Sequence, residues 1–262
     1  MPLSRVMEMT NKNQDLTDIF DNNLSVSTRE IYLCGNEGEV DEKLTMGFLK
    51  NLRILENKSK DPIIIHQYSI GGDWNAGMAM YDAIRNSPCQ FVYVCYGIAA
   101  SMGSIIPQAV LGKGLRITSE NCEWLIHDGS SNVSGTHKQV ISGINHSKIA
   151  LKTMYDIYTD ACNDSEFFND KNKSQVKKHI QYQLNTKEDW IFNGRDAVWY
   201  GFADGVLGDE DIKMYYEYCN YNTQDVLNAK DEMKKVFNML DKGLNGFCTD
   251  IFQMREIAKF LP

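Results

Sequence analysis

Hydrophobic and polar residues alternate along this chain with two different periods. In residues 41–57, Leu44, Phe48, Leu52 and Leu55 follow one another at steps of four, four and three, which is the period of an amphipathic helix. Short apolar runs elsewhere are typical of strands buried on both faces. Strands are predicted at 30–34, 62–66, 91–95, 115–117 and 124–127, and helices at 41–57, 74–84, 136–162, 174–184 and 194–201. Strands that alternate with helices indicate an α/β fold with a largely parallel sheet.

The two ends of the chain differ from this central part. Residues 1–27 are polar and rich in Asn and Asp, and we interpret them as an arm rather than as part of the core. Beyond residue 209 the chain becomes rich in Tyr and in charged residues. This tail has apolar residues at helical spacing, namely Val226, Met233, Val236, Phe237 and Leu240. The pattern predicts one amphipathic helix there.

Composition narrows the class of protein and its surroundings. The chain has 35 acidic and 27 basic residues and no Lys/Arg block, which argues against nucleic-acid binding. A hydrophobic content of 43% argues against wholesale disorder. No apolar run approaches the roughly 18 residues of a membrane span, and no secretory signal is visible, so we expect a cytoplasmic protein. The seven cysteines include no CxxC pair, which predicts reduced thiols and no metal site.

Three segments combine small residues with a group that could carry chemistry. The first is the run Gly-Ile-Ala-Ala-Ser-Met-Gly, which places Ser101 where a sharp strand-to-helix turn would expose its hydroxyl. The second contains the pair Gly71 and Gly72, which would let the backbone approach a ligand closely. The third ends an apolar strand on His127. Each alone also has a structural interpretation: a helix N-cap, a tight turn or a hydrogen-bonded histidine.

Taken in this order and with their spacing, the three segments resemble the proteolytic subunit of the ATP-dependent Clp protease. A fourth segment, Ala-Val-x-Tyr-Gly at 197–201, follows the same family pattern. The resemblance covers about residues 29–207, and it implies an α/β fold of the ClpP/crotonase type built from repeated ββα units, with a protruding handle helix at 136–162. The domains expected from it are an N-terminal arm (1–28), a ClpP-like serine protease domain (29–207) and a C-terminal helical extension (208–262).

The resemblance also implies a catalytic triad. Ser101 would be the nucleophile and His127 the general base. The third member would be an acid just before the Ala-Val-x-Tyr-Gly segment, where Glu188 and Asp189 are both candidates. The family pattern favours Asp189, which would fix the tautomer of the imidazole and stabilise the imidazolium.

Main-chain groups complete the site that the resemblance implies. The backbone N–H groups of Gly72 and Met102 would form an oxyanion hole, which stabilises negative charge on the tetrahedral intermediate. Gly71 and Ile70 would contact the substrate.

Several positions depart from the family pattern and identify this chain as a divergent member. Ile70 stands where the family has a proline, and Tyr68 stands where it has an asparagine. The usual Gln-Pro after the histidine is Asp128-Gly129 here, which adds a carboxylate beside the expected base. These changes affect substrate binding, regulation and ring geometry more directly than the acyl-transfer chemistry.

The function that the resemblance implies is that of a serine endopeptidase acting through an acyl-enzyme inside an oligomeric ring chamber. The expected partners are peptide or protein substrates, further copies of the chain in a heptameric ring or double ring, and an AAA+ unfoldase. The chain has no Walker A motif, so any use of ATP would come from that partner, and no cofactor is expected. Two alternatives stay open: a catalytically silent ring or scaffold subunit, and a crotonase-like enzyme that acts on acyl-CoA.

Overall fold

The computed structural model of the protein describes residues 19–34 and 38–209. Most of the predicted N-terminal arm, and all but the first two residues of the predicted C-terminal helical extension, lie outside these ranges. The statements below concern the described part of the chain.

The chain forms ten strands and six α-helices over these residues. The strands are β1 (Leu24–Ser25), β2 (Glu30–Leu33), β3 (Glu39–Val40), β4 (Ile63–Ser69), β5 (Gly71–Gly72), β6 (Phe91–Ala100), β7 (Gly114–Thr118), β8 (Glu123–Ile126), β9 (Trp190–Phe192) and β10 (Gly205–Val206). The helices are α1 (Glu42–Lys58), α2 (Trp74–Asn86), α3 (Met102–Ile105), α4 (His137–Cys162), α5 (Lys173–Lys187) and α6 (Gly194–Tyr200), with a 3₁₀ helix at Ile106–Val110.

Eight of the strands form one central mixed sheet in the order β1-β2-β4-β6-β7-β10. All neighbours along this path are parallel except β1 and β2. The far end of β6 pairs with β8, and β8 pairs in turn with β9 in the antiparallel sense. A second, two-stranded sheet joins β3 and β5. The prediction of an α/β fold with a largely parallel sheet is therefore confirmed.

The hydrophobic core lies between the central sheet and its helices. Ile65 of β4 and Tyr93 of β6 are fully buried and belong to one cluster with Leu55 of α1 and Ile84 of α2. The cluster members Ile63 and Ile65 of β4, like Phe91 and Tyr93 of β6, occupy alternate positions, as expected for one face of a sheet. The cluster holds β4 and β6 side by side; Ser101 follows β6 directly, and the glycine pair 71–72 follows β4.

Three local predictions are corrected by the structure. Residues 97–100, expected in a turn, continue strand β6, because they pair with β8 and Ala99 and Ala100 are buried. Strand β9 was not predicted, since three residues between polar segments give too little periodicity to recognise. Leu24 and Ser25 lie in the expected arm, yet they are buried and pair with β2, so this part of the arm belongs to the core.

Helix α4 is 26 residues long, which corresponds to about 39 Å. Its C-terminal half packs against the core through buried residues such as Met154 and Tyr158. Its N-terminal half exposes three isoleucines to solvent, Ile141, Ile144 and Ile149. The helix thus extends beyond the core at its beginning and is anchored at its end.

Two further findings concern the described residues. None of the helices there has both the length and the apolar character needed to cross a lipid bilayer. The five cysteines described are free thiols, and all of them except Cys34 are buried.

Candidate active site

Ser101 occupies the junction between β6 and α3. Its φ of 52° and ψ of −122° lie outside the regions that non-glycine residues usually adopt, which costs about 1–3 kcal/mol. The surrounding structure holds this conformation through both peptide groups. The Ser101 N–H donates to the carbonyl of Leu125 at 2.9 Å, and the Ser101 carbonyl accepts from the N–H and hydroxyl of Ser104 at 2.9 and 2.6 Å. The side chain of Ser101 is therefore presented on a fixed turn.

Gly71 lies directly against this turn, which explains why the position needs a glycine. A Cβ atom there would lie 2.6 Å from the Cβ of Ser101 and 2.8 Å from the carbonyl oxygen of Ala100. Its φ of 95° is also in the region that favours glycine. The glycine pair thus allows β5 to approach the serine closely.

Sheet pairing brings His127 to Ser101. Strand β8 pairs in parallel with the end of β6, with Leu125 opposite Ala100. The residue that follows each strand therefore emerges at the same edge of the sheet. His127 Nε2 lies 2.7 Å from Ser101 Oγ, which is a short hydrogen bond.

Asp189 reaches His127 through the next strand pair. In the antiparallel ladder of β8 and β9, Ile126 is opposite Trp190, so the residue after one faces the residue before the other. The two atoms His127 Nδ1 and Asp189 Oδ1 are 3.4 Å apart. Glu188, the other candidate acid, instead ends helix α5 with a φ of 63°. Serine, histidine and aspartate thus lie in sequence along one line of contacts.

The two expected main-chain donors come from strand β5 and from the start of helix α3. Gly72 pairs with Val40 of β3, and a Cβ atom at Gly72 would lie 2.3 Å from the Val40 carbonyl oxygen. Met102 is the first residue of α3, and the N–H groups of a first helical turn have no acceptor within their own helix. Both residues line the same cavity as Ser101.

The sequence that forms this site matches a known protein family. The family model of Clp protease matches residues 11–210, about three quarters of the 262 residues. The chain belongs to the Clp protease family. The match confirms the resemblance and extends it on the N-terminal side of residue 29. Membership supports a peptidase, a hydrolase of peptide bonds, from a family that generally forms oligomeric rings and takes peptide substrates. The mixed α/β structure is consistent with this family.

The cavity of this Clp protease family member has a volume of about 630 Å³. One wall is formed by the middle of the long helix α4, between His146 and Met154, which sequence analysis did not connect with the site. The lining includes Gly72, Ser101, Met102, His127, Asp128 and Met154. Ile70 and Gly71 precede the first of these and are not among the lining residues, so their contact with substrate stays a prediction. Within the described ranges, no three metal-binding side chains come together.

The glycine loop is held in place without the proline that the family has at position 70. The Ser69 hydroxyl donates to the Gly38 carbonyl at 2.8 Å and accepts from the Gly71 N–H at 3.1 Å. The Ile70 N–H donates to the same Gly38 carbonyl at 3.0 Å. These hydrogen bonds fix the loop by local contacts, so Ile70 itself can be exposed.

Two tyrosines of α4 support the site and were missed by sequence reasoning. The Tyr158 and Ser104 hydroxyl groups are 2.7 Å apart, next to the Ser101 carbonyl. The Tyr155 hydroxyl donates to Asp128 Oδ1 at 2.5 Å. Burial, and secondarily the Asp128 carboxylate, raise the pKa of Tyr155 well above its usual value, so it stays a proton donor. No sequence signal links these positions, because helix periodicity does not show which strand a helix covers.

Proposed function

We propose that this Clp protease family member is a serine endopeptidase with Ser101 as nucleophile, His127 as general base and Asp189 as the orienting acid. The observation that carries the proposal is the 2.7 Å contact of Ser101 Oγ with His127 Nε2, while the other ring nitrogen faces a carboxylate. A hydroxyl is a weak nucleophile alone, and an imidazole in this position can take its proton during attack.

In the first half of the reaction, Ser101 Oγ attacks the carbonyl carbon of the peptide bond while its proton moves to His127 Nε2. The resulting imidazolium then gives that proton to the leaving amine, and the acyl-enzyme ester remains on Ser101. Asp189 keeps the Nδ1 proton directed towards itself, so that Nε2 is free to accept. The 3.4 Å separation of Nδ1 and Oδ1 is longer than an ideal hydrogen bond, as catalytic contacts often are before substrate binds.

Negative charge on the tetrahedral intermediate needs donors that are already oriented. The N–H groups of Gly72 and Met102 fill this role in the proposal, because both residues line the cavity beside Ser101. Loss of one such donor typically raises the barrier by about 3–4 kcal/mol. In the second half of the reaction, His127 takes a proton from water while the water oxygen attacks the ester carbonyl carbon. The bond between that carbon and Ser101 Oγ then breaks, the imidazolium returns its proton to Oγ, and the carboxylic acid product leaves.

We further propose that copies of this chain form a ring chamber, either one heptamer or two stacked. The exposed isoleucines in the first half of α4 support this, since apolar side chains at the free end of a long helix are typical of subunit contacts. In this arrangement α4 is the handle helix. An AAA+ unfoldase would supply ATP-driven substrate delivery.

The two alternative functions are less well supported. A silent scaffold subunit has no need for the Ser101–His127 contact or for the strained turn that presents the serine. An acyl-CoA enzyme of the crotonase type has no need for the serine–histidine pair, and the family match favours neither alternative.

A fluorophosphonate probe tests the proposed nucleophile, because it phosphonylates only serines activated by a base. We expect one adduct per chain, mapped by peptide mass spectrometry to Ser101 and absent from Ser101→Ala. Ser131 lines the same cavity and provides a matched control, so Ser131→Ala should be labelled like the wild type. An assembled protein that stays unlabelled, beside a labelled control protease, would contradict the proposal.

A further inference from the structure

Asp128 gives the cavity a charge that the proposed peptide hydrolysis does not use. It follows the base His127 directly, it is exposed, and it lines the cavity. A second carboxylate in the lining, Asp73, already caps helix α2 by accepting the Ala76 N–H at 2.8 Å. Among the described lining residues there is neither a lysine nor an arginine. The carboxylate of Asp128 therefore faces a space in which no lysine or arginine of the described lining neutralises it, and the imidazoles of His127 and His146 are the other basic groups there.

Tyr155 fixes where this carboxylate lies. The Tyr155 side chain is only 8% exposed, and its hydroxyl binds a single oxygen, Oδ1, of Asp128. A carboxylate has two oxygens and several acceptor positions, so this hydrogen bond orients Asp128 without saturating it. A preoriented carboxylate loses less side-chain entropy when it binds a cation than one on a freely rotating side chain.

An apolar surface lies next to the carboxylate. Met154 precedes Tyr155 in α4, and Leu151 lies one helical turn before Tyr155. Both line the cavity together with Ile105 of the 3₁₀ junction and Met102. The cavity thus combines an apolar wall with one negative group beside the Ser101–His127 pair. Lysine and arginine have the matching chemistry, since each carries a charged head on an apolar stem.

We infer that Asp128, oriented by Tyr155, selects peptides with lysine or arginine at the residue that supplies the cleaved carbonyl. The inference rests on the proposed peptidase function and adds a substrate class to it. The apolar stem of the substrate side chain packs against Met154 and Leu151, and its charged head pairs with the second oxygen of Asp128. The planar guanidinium of arginine offers more donors to this oxygen than the ammonium of lysine and is more weakly hydrated, so arginine is expected to be the stronger of the two.

The test is a set of fluorogenic peptides that differ only in the residue before the cleaved bond: Arg, Lys, Leu or Glu. We expect the wild-type full-length protein to show a higher kcat/KM for Arg and Lys than for Leu, and the lowest for Glu. Asp128→Asn keeps an oxygen that can accept the Tyr155 hydrogen bond but removes the charge. The Arg-to-Leu ratio of kcat/KM should fall about tenfold in this variant.

Three further variants make the result specific. Asp128→Lys should invert the order and favour Glu over Arg. Tyr155→Phe should lower the Arg-to-Leu ratio less than Asp128→Asn does, because it frees the carboxylate but leaves its charge. Glu166→Gln removes one negative charge from an exposed residue outside the cavity, and its ratio should equal that of the wild type.

The outcomes separate this inference from the proposed function. If fluorophosphonate still labels Ser101 but the Arg-to-Leu ratio is the same in wild type and Asp128→Asn, the role of Asp128 is wrong and the peptidase proposal stands. If the ratio falls equally in Glu166→Gln, overall charge rather than Asp128 sets the preference, and the inference is again wrong. If Ser101 is unlabelled and no peptide is cleaved, both fall together.

Discussion

The turn that presents the Ser101 side chain requires an unfavourable backbone conformation at this residue. Three hydrogen bonds to its peptide groups hold it, and two of them come from Ser104, whose hydroxyl also contacts Tyr158. Ser101 is therefore positioned by its neighbours rather than by its own backbone preference. His127 is likewise held between two partners, since its ring nitrogens face Ser101 Oγ and Asp189 Oδ1.

Replacement of Asp189 by Asn tests the assignment of the acid at this scale. The amide keeps the size of the side chain, but it can donate to Nδ1 and so favours the tautomer that cannot accept a proton at Nε2. We expect kcat for peptide hydrolysis to fall about 10³- to 10⁴-fold. Glu188→Gln is the matched control and should stay close to wild type. A large loss in Glu188→Gln with little loss in Asp189→Asn would assign the acid to Glu188 instead.

At the scale of elements, periodicity predicted five of the six α-helices and five of the ten strands named for the described residues, but not the pairing that builds the site. Helices α1, α2, α4, α5 and α6 lie within a few residues of their predicted positions. The second half of β6 was mistaken for a turn, because glycine and alanine are as common in turns as in a strand that pairs on both sides. Asp189 was predicted through the family pattern, and its nearness to His127 follows from the register of β8 against β9, which the sequence does not show. The contact of Tyr155 with Asp128 could be recognised only from the tertiary structure.

The contact of β5 with the serine turn gives a prediction at this scale. In Gly71→Ala, the new methyl group would collide with the Cβ of Ser101 and with the Ala100 carbonyl. The alanine would also have to adopt the positive φ of this position, which is unfavourable for a residue with a Cβ atom. We expect a loss of about 2–5 kcal/mol in the free energy of unfolding and loss of activity in the fraction that folds.

Gly112→Ala separates the collision from the backbone strain. Gly112 also has a positive φ, of 73°, but a Cβ atom there would meet nothing within 4 Å. This variant should lose only about 1–2 kcal/mol and should keep its activity. Chemical denaturation and peptide hydrolysis of both variants give the comparison. Equal effects of the two substitutions would show that packing of Gly71 on Ser101 is unimportant.

For the whole molecule, the central question is whether a single chain or a ring of chains forms the working enzyme. The cavity is open at the surface of the described chain, and α4 contributes one wall to the cavity and an exposed apolar end to solvent. A ring would use both features of this helix at once. The site and the assembly would then be coupled through one rigid element.

Native mass spectrometry tests the assembly. One chain has a mass of 29.9 kDa, so a heptamer would have about 209 kDa and a double ring twice that mass. We expect one of these species in the wild type. We also expect smaller species when Ile144 and Ile149 are both replaced by Asp, because charges would then replace apolar contacts. A monomer in the wild type at micromolar concentration would contradict the ring chamber, although not the triad.

The most direct test of the account is the rate of peptide hydrolysis by the wild type and by Ser101→Ala, purified in the same way and shown to have the same assembly mass. We predict that the wild type cleaves and that the variant, which lacks the hydroxyl but keeps His127 and Asp189, loses about 10³-fold or more of kcat. Equal turnover by the two proteins would contradict the account, since peptide hydrolysis would then not depend on Ser101.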